Sequence, residues 1–198
     1  MEFLVISVKT AILGSDQKII EVAAVVLDRE HKEIAAFEAL VNPGDKEIGS
    51  LCLEALGVHG ISKEDLSGGL EPEEAAKGLR ALLEAHPEAT VHAYNRERAQ
   101  KLLIGKPWGM QPSAWGACVL EDITELMESE GAFDGSLGKR PKMSEAAAFL
   151  KVPMPVKRRA LPDARVSAII LSKMMETSRK MSDTDFLIEA RNILEDGL

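Results

Sequence analysis

Aromatic residues are scarce in this 198-residue chain: five phenylalanines, two tryptophans and one tyrosine. A surface that grips nucleobases mainly by stacking needs several rings on one face. Here the core claims most of them, so Tyr94, Trp108 and Trp115 are expected to pack before they stack. Cysteine is nearly absent as well. Cys52 and Cys118 lie in different segments, which excludes a disulfide framework and a thiolate zinc site. Two reduced, mostly buried thiols in a cytoplasmic protein are the expectation. No stretch approaches the roughly 20 apolar residues of a membrane span. The opening Met1-Glu2-Phe3-Leu4-Val5-Ile6 lacks the basic start and long apolar run of a signal peptide. Positive charge is in deficit: 24 Lys and Arg face 32 Asp and Glu, a formal charge of -8 with pI near 5.1. Broad, unspecific nucleic-acid binding by the whole surface is therefore excluded, although a local basic patch is not. The glycines at 57, 60, 68 and 69 form neither a Walker A loop nor a dinucleotide fingerprint.

What is present suffices for one domain with an added tail. Hydrophobic residues make up 45% of the chain, enough for a real core. Three β-rich runs, Phe3 to Thr10, Ile19 to Asp28 and Ile34 to Asn42, are joined by short polar links that suit an antiparallel meander. Asn42-Pro43-Gly44-Asp45 ends that sheet with turn chemistry. Pro72 opens a helix to about Ala85 with apolar residues at helical spacing. Thr90 to Tyr94 reads as a fourth strand, and Arg96 to Leu103 as a helix. Trp115 to Met127 passes from a short strand into a helix. Ser144 is expected to cap a helix to about Lys151, and Pro162 to open another to about Met175. Ser182 or Asp183 is expected to cap a last one ending near Leu194. The order implies an α/β fold, a mixed sheet flanked by helices.

Four stretches share an order and spacing with one family. They are Val5-Ile6-Ser7-Val8-Lys9-Thr10, Lys18 to Val26, Val41-Asn42-Pro43-Gly44 with His59-Gly60-Ile61-Ser62, and Arg159-Ala160-Leu161-Pro162-Asp163-Ala164-Arg165. Together they resemble the DEDDh 3′–5′ exonucleases, relatives of the proofreading subunit of bacterial DNA polymerase III. Arg140-Pro141-Lys142-Met143-Ser144-Glu145-Ala146 is similar to the stretch preceding the family's last motif. The resemblance covers roughly residues 3 to 175. It implies a ribonuclease H-like sheet of three antiparallel strands followed by parallel strands. A domain over 1–176 and a helical tail over 177–198 follow.

That family cuts phosphodiesters with two divalent ions, magnesium or manganese, held by carboxylates. The resemblance implies an Asp-x-Glu on the first strand, an Asp after the fourth strand, and a final Asp five residues after a general-base His. Alternate strand positions face the same way, so the first two acids would share a cleft. In this chain Ser7 stands at the first Asp, Lys9 at the Glu, Ala99 at the third acid and Arg158 at the His. Asp163 is the only retained acid. A site worth four negative charges becomes one with Asp163 against Lys9 and Arg158, which repels a divalent cation. No metal and no cofactor are expected. Asp16, Glu21, Glu38 and Glu97 are the local acids that could replace the lost ones, an unfavoured route.

Two functions from different classes compete. In one, the altered cleft binds single-stranded nucleic acid or a nucleotide through Lys9, Arg96, Arg98, Lys157, Arg158 and Arg159, because guanidinium groups hold phosphate with two donors. In the other, Lys9 and Arg158 merely neutralise Asp163, and the protein works as an interaction module, as a homodimer or with a protein partner. Phe186, Leu187, Ala190, Ile193 and Leu194 form an apolar stripe in the tail that would need covering. An active exonuclease with unusual ligands ranks third.

Overall fold

The computed structural model describes residues 2–11, 17–49, 57, 59–136 and 138–195, with side chains described as far as Thr177, Glu47 excepted. Cys52 and Asp16 lie outside that set. Strands β1 (Glu2–Thr10), β2 (Ile19–Leu27) and β3 (Glu33–Leu40) form an antiparallel meander. Strand β4 (Ala89–Ala93) adds parallel to β1, giving the order β3-β2-β1-β4. A further parallel strand shrinks to one bridge, Val91 with Trp115.

Helices α1 (Asp45–Gly49), α2 (Lys63–Ser67) and α3 (Pro72–Ala85) lie between β3 and β4 in the chain. Helix α4 (Arg96–Leu103) follows β4, then α5 (Val119–Ser129), α6 (Met143–Phe149) and α7 (Ala160–Glu195). Ser62 caps α2 with a reciprocal box through Asp65, as its Ser-x-x-Asp spacing allows. Pro72 opens α3 as expected. Helix α6 starts one residue ahead of the expected cap. Lys142 precedes it, and Glu145 accepts the Lys142 N–H at 2.6 Å, so the downstream acid does the work assigned to Ser144.

The two expected C-terminal helices are one. Helix α7 runs unbroken across residues 176 and 177, where the tail was expected to begin. The reason is local: between Pro162 and Gly197 the chain has neither proline nor glycine. Ser, Thr and Asp lower helix propensity by only tenths of a kcal/mol each.

The sheet separates two cores. Leu4 and Ile6 of β1 face α3 and α4, while Phe3 and Val5 face α5, α6 and α7. Strand β2 is buried along its whole length, as befits a central strand covered on both faces. Gly78 of α3 is required by close approach: a Cβ there would lie 2.5 Å from Phe37 of β3. The alternation of β1 extends past the core. Ser7 and Lys9 continue the Phe3 and Val5 face, and that face meets the start of α7.

Candidate functional site

The carboxyl ends of β1 and β4 open into a cleft of about 580 Å³. Its lining includes Ser7, Lys9, Tyr94, Arg98, Ala99, Arg158 and Asp163, so tertiary folding brings together all five residues that the resemblance assigns to the acid and base positions. The pairing of β1 with β2 shifts register between Lys9 and Thr10. Such irregularities re-aim side chains at strand ends.

Asp163 sits in the first turn of α7 and is 2% exposed. Arg158 grips it bidentately, Nε donating to Oδ1 at 2.7 Å and Nη2 to Oδ2 at 3.0 Å. Lys9 Nζ donates to Oδ2 at 2.5 Å. Both cations therefore spend donors on the one retained acid. Burial pushes the Lys9 ammonium below its ordinary pKa, and the Asp163 carboxylate opposes that shift.

A second constellation stands beside the first. Glu21 is opposite Lys9 in the strand register and fully buried. It accepts Arg159 Nε at 2.7 Å and the backbone N–H of Ala160 at 2.7 Å. A side chain of the sheet thereby answers an orphan N–H at the start of α7 and anchors that helix. Arg159 is held above its usual pKa by this carboxylate.

The sequence-selected cations divide accordingly. Lys9, Arg98 and Arg158 line the cleft; Arg96, Lys157 and Arg159 do not. Arg96 donates to the Gly116 carbonyl at 2.8 Å, which pins the segment leading into α5. Arg159 is consumed by Glu21, and Lys157 projects from the surface. Arg98 is exposed and donates to Thr10 Oγ1 at 3.0 Å and to Gln17 at 3.3 Å. Sequence reasoning did not select Arg140 and Lys142, which also line the cleft. Their signal was their place in the stretch similar to the segment before the family's last motif.

Of the substitute acids, the described ones, Glu21, Glu38 and Glu97, do not line the cleft. Glu21 is engaged as described. Glu38 lies near it, its carboxyl raised by burial and by the Glu21 charge. Glu97 is exposed and pairs with Lys101 at 2.7 Å. Among the described residues no group of three or more His, Cys, Asp or Glu side chains is placed to hold a metal ion. Among the described residues the donor set does not fit the two-ion cage that the fold family implies: the one carboxylate lining the cleft is already held by two cations.

His59 also lines the cleft and is 3% exposed. Gly60, at φ +65°, turns the chain so that the Ile61 N–H donates to His59 Nδ1 at 3.0 Å. That bond leaves the ring proton on Nε2, which has no hydrogen-bond partner among the described residues. An unanswered buried donor costs about 1–3 kcal/mol. Burial, followed by the Lys9 charge, lowers the imidazole pKa and keeps it neutral. Of the three rings considered for stacking, Trp108 and Trp115 are buried in the core. Tyr94 lines the cleft with its hydroxyl tied to the Pro141 carbonyl at 2.8 Å.

The family model RNase_T, described as Exonuclease, matches residues 2–171. No curated protein sequence matches the chain. Among solved structures, a 3′-exonuclease in the work titled "3'-end specific recognition of histone mRNA stem-loop by 3'-exonuclease" is similar at 14% identity and TM-score 0.72, over 89% of this chain and 82% of that one. The cell-death related nuclease 4 (CRN-4) shares 15% identity at TM-score 0.69, over 89% of this chain and 64% of its own. E. coli Exonuclease I, solved with a 5cy-dT13 oligonucleotide, shares 16% identity at TM-score 0.69, over 94% of this chain and 43% of its own. The chain thus spans less than half of Exonuclease I and just under two thirds of CRN-4. At these identities the likeness establishes the fold, ribonuclease H-like. Among the described residues no helix is long and apolar enough to cross a membrane.

Proposed function

The chain belongs to the exonuclease family just matched, and from that premise we propose that it is a nuclease-inactive member whose cleft binds nucleic acid or a nucleotide without metal. One observation carries the reading. Asp163, the last of the family's acids, is held by both Lys9 and Arg158. A metal would have to displace two cations to reach it, and would find no second carboxylate among the described lining residues. The same substitutions make the cleft attractive to phosphate. Among the described lining residues, five cations (Lys9, Arg98, Arg140, Lys142 and Arg158) stand against the single carboxylate of Asp163. In a protein of charge -8, a concave patch of opposite sign focuses the field on an anion.

The test has two arms. Pure protein is incubated with end-labelled single-stranded DNA and RNA in Mg²⁺ or Mn²⁺, and binding of the same strands is measured in EDTA. No shortening together with salt-sensitive binding is expected. Metal-dependent shortening from the 3′ end that disappears in Asp163→Ala sinks the inactive reading.

A second reading has its own observation. Lys9 and Arg158 do point at Asp163, which suits a purely structural ion pair and an interaction module working elsewhere. It predicts no binding of any oligonucleotide in EDTA, and a dimer or partner complex that disappears on truncation at Thr177.

A further inference from the structure

Resting on the binding reading above, we infer that Asp163 is an internal competitor of the ligand. Its carboxylate occupies the donors of Lys9 and Arg158 that a phosphate would use, and a phosphate reaches the floor of the cleft by drawing Arg158 off the acid.

The competition follows from the donor geometry. A guanidinium grips carboxylate and phosphate with the same two-donor fork. Arg158 has both prongs on Asp163, Nε on Oδ1 at 2.7 Å and Nη2 on Oδ2 at 3.0 Å. Among the described residues its remaining hydrogen bond goes to the Met143 sulfur at 3.4 Å, a weak acceptor. Lys9 Nζ donates to the same Oδ2. Arg98, Arg140 and Lys142 differ: they line the cleft with no ion pair among the described residues. Arg98 spends its donors on the neutral oxygens of Thr10 and Gln17. The cleft thus offers cations open to an arriving anion and, on its floor, two that are already answered. A carboxylate tethered beside its partners competes at a high effective concentration.

The three partners differ in their freedom to move, and that decides which one yields. The Asp163 side chain is 3% exposed. Its backbone is fixed in the first turn of α7, where its N–H donates to the Arg159 carbonyl at 3.1 Å and its carbonyl accepts Ser167 Oγ at 2.9 Å. Glu21 pins the same turn through the Ala160 N–H at 2.7 Å. Lys9, 12% exposed, is held in β1 opposite Glu21. Arg158 is 30% exposed and stands outside regular structure, between α6 and α7. Val156, two residues ahead of it, is fully exposed. Arg158 can therefore turn outward to a phosphate, and Asp163 cannot follow it. The retained acid acts as a latch on the arginine, opposing the ligand where the family's acid would hold a metal.

Binding of hexathymidylate is measured in EDTA by fluorescence anisotropy for the wild type, Asp163→Asn, Lys9→Met and the double variant, each checked for folding by its urea transition. Removing the competitor should tighten binding about tenfold. The salt dependence of log K should steepen by about 0.7 for each further phosphate neutralised. Lys9→Met should weaken binding about fivefold more in the Asp163→Asn background than alone, because only there is Lys9 unanswered. A second measurement needs no change at Asp163. In ¹⁵N-labelled wild type the Arg158 Nε–H signal, assigned by its loss in Arg158→Lys, should shift as hexathymidylate is added, since Oδ1 no longer accepts that proton. Wild-type binding with an unmoved Arg158 signal, or a folded Asp163→Asn that binds no more tightly, overturns the inference and leaves the metal-free site standing. Absence of binding by all four proteins overturns the binding reading as well.

Discussion

Replacing Asp163 by Asn tests the altered site through the sign of a stability change. Asp163 accepts three charge-assisted bonds, at 2.5, 2.7 and 3.0 Å. At about 1.5–3 kcal/mol each their simple sum overstates the loss, because the cations have escapes. Lys9 already has a depressed pKa and can shed its proton, and the Arg158 side chain is 30% exposed and can turn toward water. Removing one partner of a buried pair costs about 3–5 kcal/mol; the escapes place this substitution near about 3 kcal/mol. Lys9→Met should cost far less, about 0–1 kcal/mol, because Arg158 still grips the acid and a buried ammonium is removed. Urea denaturation at neutral pH measures both, and the double variant gives a coupling energy expected between about 1 and 3 kcal/mol. In a site of clustered carboxylates the same Asp→Asn change would relieve repulsion and stabilise the fold. A neutral or stabilising Asp163→Asn would therefore refute the account of an acid saturated by cations.

Three other outcomes follow from the same geometry. Glu21→Gln should lower stability by about 3 kcal/mol, since Arg159 loses its buried counter-ion; an unchanged urea midpoint would show that Glu21 does not anchor α7. Burial depresses the pKa of both His59 and His92 below the ordinary 6.5. The unfolded chain then takes these protons first, so stability is complete above pH 6.5 and declines as pH falls through 6.5 toward the lowered values. Melting temperatures across that window should fall, and His92→Gln should flatten the slope; a wild-type profile as flat as the variant's contradicts this. Restoring the family's acids with Ser7→Asp, Lys9→Glu, Ala99→Asp and Arg158→His should create calorimetrically detectable Mn²⁺ binding. Failure of the four-fold variant, folded, to bind Mn²⁺ would mean that these positions do not converge as described.

The strand alternation, the turn at Asn42-Pro43-Gly44 and the proline-opened α3 were readable because they depend on neighbours a few residues apart. The motif spacing also led to the expectation that Ser7, Lys9, Ala99, Arg158 and Asp163 share one cleft, and all five do line it. The expected break near Thr177 failed because serines and threonines lower helix propensity without ending a helix, and no glycine or proline stands there to do so. What the cations do could not be read locally. Arg158 and Arg159 are adjacent in sequence, yet one grips Asp163 and the other Glu21. Arg96 and Arg98 share a helix turn, yet one pins a carbonyl outside the cleft and the other lines it. A long cationic side chain takes whichever acceptor lies within its reach, and that reach spans elements far apart in the chain. The sequence by itself determined the strand alternation, the proline-opened α3 and the family resemblance, and it raised the expectation that Ser7, Lys9, Ala99 and Arg158 stand where that family carries its acids and base. Only the tertiary structure decided that Lys9 and Arg158 both close on Asp163, and that Arg140 and Lys142 line the same cleft with no ion pair among the described residues.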